Sequence, residues 1–349
     1  MSYEKFNENF IKLMGDDRFQ LPLREDDNFK DTLINLFDEY NQEISQFVYK
    51  KTAMEIKDIC DCIIEIINCD GYKSSRLFME FMEKETVLNH MHIIKNNLPV
   101  DGFGRTNVNL FRVREVNENK NYKRKDIFHE PKNISCDKTR IPYRYNLDSR
   151  PSLYLGTTVY GCCAELEKEN NTRNLIGSIF RLNKNINNLY IIDLGVRPID
   201  YIKNKNKKAY SFTDYLYIYP LIASCSVIVA SKNYRNIPEY KISRMLYQWL
   251  IDLHNDKLCG IRYFSCYDAH YKMLDAHDEL ILENNSEKSF TKFFINYAFP
   301  IGDEVDSDGY CYKLKKAFLI SLPRFIRDYP NIRHFEMRLK SNLNMINIK

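Results

Sequence analysis

Apolar residues recur at three-to-four spacing through the first hundred positions. Leu33, Phe37, Tyr40, Ile44 and Phe47 make one stripe, and Ile56, Ile59, Ile63, Ile66 and Ile67 make the next. That period predicts amphipathic helices burying one face each. A further helix is expected from Ser74 to about Lys95, where NNLPVDGFGRTN gathers the Pro, Gly and Asn of a boundary near 98 to 107. From Leu110 the period shortens. LFRVREV, SLYLGTT, NLYIIDLG, ASCSVIVAS, GIRYFSC and FFINYAFP are β-branched or aromatic runs closed by turn residues, which reads as strands. TVYGCCAELEKE and EYKISRMLYQWLIDLH read as helices between them, and the tail after 310 as one or two short helices. The expected organisation is an all-α domain at 1–104, a mixed α+β domain at 105–305 and a helical extension at 306–349. No G-x-G-x-x-G or G-x-x-x-x-G-K-[ST] occurs to suggest a doubly wound nucleotide fold.

Composition narrows the class. With 44% hydrophobic and 28% charged residues, the 349-residue chain is globular, not collagen-like or wholly disordered. No run of 18 apolar residues occurs and the first residues lack a basic, then apolar leader, so a cytoplasmic protein with no membrane partner is expected. The ten Cys form no C-x-x-C pair and the seven His are scattered, so reduced thiols and no metal are expected. Charge divides unevenly: 12 Lys+Arg against 19 Asp+Glu over residues 1–100, and 39 against 28 over the rest. A basic second part suits an anionic ligand, with nucleic acid, a nucleotide or an acidic partner all admissible.

Four places bring ionisable or hydroxyl groups to the ends and edges of expected elements. In LFRVRE, Arg112 and Arg114 alternate with Phe111 and Val113, so both point away from the apolar face, and a guanidinium there can fork onto phosphate. YRYNLDSRPSLYLGTT carries Tyr143, Arg144, Tyr145 and Tyr154, with rings able to stack on a base or pyridinium. Glu165 follows Cys162, Cys163 and Ala164 on an apolar helix start, where a carboxylate needs a partner or a task. Ser265 ends the strand GIRYFSC. Glu167, about 200° round the same helix, is the competing carboxylate, and the apolar neighbours favour Glu165 as the inward one.

In order and framing, LFRVRE, RKDIFHEP, RIPYRYN, PSLYLGTTVYGCCAELE, YPLIASCS, PEYKISRMLYQWL and GIRYFS make the chain from Leu110 to about Pro300 resemble the RES-domain family, in its longer members with a helical, HEPN-like N-terminal region. The resemblance implies an ADP-ribosyltransferase-like fold that takes NAD as substrate, needs no cofactor and breaks the nicotinamide–ribose bond, often as an intracellular toxin. It places Arg112 at the Arg position, Tyr145 at the aromatic position, Glu165 at the Glu position and Ser265 at the Ser position, with Arg144 and Tyr154 beside them as substrate-binding residues. The turn before the strand departs from the family's Gly-containing pattern, since Asp148-Ser149-Arg150-Pro151 stands there. NAD chemistry suits these residue types: Arg112 clamps pyrophosphate, Tyr145 stacks on nicotinamide, and the Glu165 carboxylate favours an oxocarbenium-like ribose.

Other readings change the acceptor or the class. A macromolecular acceptor makes the same site an ADP-ribosyltransferase, phosphate makes it a phosphorylase, and a pocket without turnover makes it a nucleotide-binding module. Arg124-x4-His129 fits the Arg-x(4–6)-His expression of HEPN ribonucleases, yet it runs into Pro131 and lies outside the helical region, so nucleic acid is not the expected partner. The acidic helical region is open to a neutralising antitoxin, to self-association, or to covering the basic part.

Overall fold

A computed structural model describes residues 3–24, 28–95, 98, 109–116, 121–131, 143–147, 150–168, 170–186, 188–198, 202, 211–229, 237–254, 256–266, 295–341 and 345–347. In chain order its elements are α1 (Tyr3–Gly15), α2 (Phe29–Ile44), α3 (Lys50–Asn68), α4 (Gly71–Met82), α5 (Glu85–His90), β1 (Ile93–Ile94), β2 (Asn109–Glu115), α6 (Arg124–Ile127), β3 (Ser152–Gly156), α7 (Val159–Glu165), β4 (Leu175–Leu182) and β5 (Leu189–Leu194). There follow α8 (Phe212–Ser224), α9 (Lys241–His254), β6 (Leu258–Phe264), β7 (Ile295–Pro300), α10 (Tyr312–Ala317), β8 (Phe318–Ile320), β9 (Arg324–Phe325) and α11 (Ile332–Ser341). The architecture is α+β. Most of the expected boundary at 98–107 lies outside the described residues.

Two compact units result, and neither is a single consecutive span. The first joins Met1–Ile93, Ile141–Tyr145 and Ile192–Trp249; the second joins Ile94–Arg140, Asn146–Ile191 and Leu250–Lys349. The all-α span therefore recruits a later segment, and the tail belongs with the sheet rather than standing as a separate extension. The reason for the first difference is α8, in which Phe212 and Tyr215 through Ser224 are all buried. A helix apolar all round needs neighbours on every side, and within this unit α8 meets α2, α3 and α5. Pro220 inside it cannot donate to the carbonyl of Leu216, and that carbonyl accepts from the Tyr40 hydroxyl at 2.9 Å instead. ASCSVIVAS, expected as a strand, instead closes this helix: Ser224 and Ser226 donate back to the carbonyls of Pro220 and Ile222, and Val227 keeps a lone parallel bridge to Leu23.

The second unit rests on strands ordered β5–β6–β7–β3–β2–β4–β8, with β9 beside β4. In it the pairs β2–β4, β3–β7 and β6–β7 are antiparallel: Arg112 opposes Ser178, Tyr154 opposes Ala298, and Tyr263 opposes Asn296. Alternation along β2 puts Phe111 and Val113 on one face, where they pack with Val159 and Cys163 of α7, Ile179 of β4, and Phe335 and Leu339 of α11. The tail expected as helices also supplies two short strands, β8 and β9, both paired with β4.

Candidate functional site

The sheet of the second unit opens between β2 and β3. β2 pairs with β4 along seven residues, and β3 with β7 along five, but β2 and β3 meet at the single register pair Phe111–Gly156. Continued two residues, the ladder would set Val113 opposite Tyr154. Instead the carbonyl of Tyr154 accepts from Nη1 of Arg112 at 2.8 Å. A carbonyl left without its ladder donor needs another, and the half-buried guanidinium supplies one.

On the other side of this seam α7 begins. Thr158 caps it by accepting from the backbone N–H of Gly161 at 3.0 Å, and Glu336 of α11 accepts from the N–H of Val159 at 2.9 Å. Cys162 donates its thiol to the carbonyl of Phe111 at 3.3 Å. A side chain on Gly156 would place its Cβ 2.7 Å from Cys162 Sγ and 3.2 Å from Asn296 Oδ1, so glycine is what lets helix and strand close on each other here. Burial pushes the Cys162 thiol up to about 12; a hydrogen bond from the backbone of Gly156 opposes this, the charges of Glu165 and Glu336 add to it, and Arg112 works against it. That thiol is an inert packing group, and it feels both Arg112 and Glu165.

Glu165 is the last residue of α7. It is exposed, not the desolvated inward group expected, because the helix ends there and Leu166 beside it is itself 37% exposed. Glu167 is not on the helix at all: it has φ of 57°, past the cap, so the 200° argument separating the two carboxylates does not hold. One oxygen of Glu165, Oε1, accepts from Nδ2 of Asn296 at 2.9 Å. Asn296 is 6% exposed and stands on β7 between Gly156 of β3 and Tyr263 of β6. Sequence reasoning passed over it. The signal was present, since one amide among Ile295, Tyr297, Ala298 and Phe299 needs a polar partner once buried.

Of the expected site residues, Arg112, Tyr154, Glu165 and Ser265 fall in the second unit. Tyr154 is half-buried and by alternation shares the sheet face of Gly156. Ser265 lies one residue past β6, on the face of Tyr263, and is 1% exposed. Arg112 leaves β2 on the face opposite Phe111, hence opposite the face on which α7 packs. Arg114 shares its face but donates to the carbonyl of Asp126 at 2.9 Å and to Glu130 at 3.1 Å, a structural use.

Arg144 and Tyr145 fall in the first unit, and both expectations for them are corrected. Arg144 donates to the carbonyls of Cys225 at 2.9 Å and Val227 at 2.7 Å and lies over the Tyr240 ring at 4.7 Å, which ties loop to helix. Tyr145 is completely buried, so its ring presents no face for a ligand to stack on. The Arg124–His129 pair is also absorbed by structure. Arg124 donates to the carbonyl of Ile320, while His129 accepts at Nε2 from Cys311 N–H at 2.8 Å, which leaves the proton on Nδ1 to donate to the carbonyl of Glu130.

Among the described residues no group of His, Cys, Asp and Glu could hold a metal ion, and no helix is long and apolar enough to cross a membrane. No family model matches the chain, and no solved structure matches it. Over 315 residues the chain is 26% identical to a Bacillus subtilis (strain 168) protein named "Putative toxin YopC". That alignment takes in 83% of this chain and 64% of the relative's length.

Proposed function

We propose that the second unit binds NAD and cleaves its nicotinamide–ribose bond, and that the chain acts as a toxin by consuming NAD. The observation that carries the reading is Glu165: an exposed carboxylate at the end of α7, held through one oxygen by a buried amide. An oxocarbenium-like ribose is favoured by a fixed anion, and nicotinamide leaves from a pyridinium without needing a general acid. In this reading Arg112 takes the pyrophosphate and Tyr154, half-buried, packs on a ring, while Ser265, enclosed like Tyr145, has no ligand contact. Three further features support the reading: the order of the sequence motifs, the ADP-ribosyltransferase-like character implied by them, and the name of the Bacillus relative.

The test is direct. Purified protein is incubated with NAD and the products are separated and weighed. Free nicotinamide with ADP-ribose means water is the acceptor; nicotinamide with ADP-ribose 1″-phosphate means phosphate; nicotinamide with a mass increment on a protein or nucleic acid means transfer. Intact NAD with water, phosphate and a macromolecular acceptor all supplied, and with binding retained, would make the unit a nucleotide-binding module and overturn the enzymatic reading.

A further inference from the structure

Asn296 has no place in the sequence motifs, yet it touches the carboxylate on which the proposed chemistry depends. Its own position is tightly determined. On β7 it is paired on both sides, to Gly156 and to Tyr263, so its Cα cannot shift without disturbing three strands. Its Oδ1 lies over the bare α-carbon of Gly156, 3.2 Å from where a Cβ would stand. The amide is therefore wedged, and since a carboxylate only accepts, the Nδ2 group is the one that must face Glu165.

Glu165 by contrast would be poorly controlled alone. It is exposed, it ends its helix, and the carbonyl end of a helix disfavours a negative charge. We propose that Asn296 is a positioning residue: its buried amide fixes Oε1 and leaves Oε2 turned to the substrate. For its role in turnover this rests on the NAD reading; for the pair itself it does not. A donor bonded to one oxygen restricts rotation of the carboxylate, so loss of the amide should free the Glu165 side chain whatever the ligand.

Two near-isosteric variants separate positioning from packing. N296L removes the donor, and N296D replaces it with a second carboxyl. In protein labelled with 13C-glutamate, with E165Q identifying the Glu165 signal, the order parameter of the Glu165 side chain at pH 7 is expected to fall by about half in both variants, since neither offers a donor to Oε1. With NAD, both variants should lose about tenfold or more in kcat while KM stays within about twofold. A Glu165 side chain equally ordered in wild type and both variants would overturn the proposal and leave Asn296 a packing residue. Should N296L not fold, N296D decides alone. Should wild-type protein leave NAD intact, the NAD reading falls, while the order of the Glu165 side chain still decides whether Asn296 positions it.

Discussion

His129 and His92 are buried imidazoles with depressed basicity, to about 3 and about 4 respectively. Burial is the main cause for both, and for His129 the charges of Arg112 and Arg114 add to it. The sign of the consequence follows from proton uptake. Below about pH 6.5 the unfolded chain protonates these rings and the folded chain does not, so stability is full above 6.5 and is lost as pH falls toward 4 and 3. Each ring contributes a slope of roughly 1.4 kcal/mol per pH unit in that window. Urea unfolding between pH 7 and 5 should show the loss, and H129Q should remove about half of it. An identical pH dependence in H129Q would mean that His129 titrates normally. The Arg-x4-His pattern in the sequence thus identified a residue with a real constraint but the wrong task, because spacing cannot tell a ring that faces solvent from one whose nitrogens both meet backbone. Tyr145 and Glu165 depart from expectation for the same reason: their burial is exchanged, the ring being enclosed and the carboxylate open.

At the scale of elements, the strands carrying the motifs were readable from alternation, as β2, β3, β6 and β7 show. What alternation could not give was pairing. β4, from Leu175 to Leu182, was not anticipated, yet it is the long partner of β2, and its presence lets β2 let go of β3 after one pair. ASCSVIVAS reads as a strand because its β-branched run is bounded by serines; Ser224 and Ser226 in fact return to helix carbonyls, which periodicity does not reveal. The seam depends on a close approach at Gly156, and this makes a test. G156A forces a methyl to 2.7 Å from Cys162 Sγ and should cost about 1–3 kcal/mol of stability by overpacking. The double variant G156A/C162A should recover part of the loss, since the nearest atom is gone. Urea unfolding of the single and double variants checks it, and a double variant less stable than G156A would show that the contact does not limit the packing of α7.

At the scale of the whole chain, the change from helical to strand periods near residue 100 was legible, but its reading as a cut between domains was not the arrangement the fold adopts. Phe10, Phe19 and Tyr40 look like the core of a self-contained bundle in sequence; in the structure Phe10 packs on Phe212 at 4.2 Å, and Tyr40 packs on Tyr219 at 4.7 Å. Those partners come more than a hundred residues later, beyond the reach of any local pattern. A fragment of residues 1–104 lacks them and is expected to melt without a cooperative transition when followed by circular dichroism, whereas the full chain melts cooperatively. A sharp cooperative melt of the fragment would mean that α8 is dispensable to the first unit. The central claim, that Glu165 serves as the fixed anion in NAD cleavage, is met most directly by steady-state NAD consumption in wild type, E165Q and E165A with binding measured alongside. The account predicts that E165Q folds, binds NAD within about twofold of wild type and loses kcat by about 10²–10³-fold, because Gln keeps the shape and the contact surface but not the charge. Near-normal turnover in E165Q with loss in E165A would contradict it, assigning Glu165 to holding the ribose and not to stabilising charge.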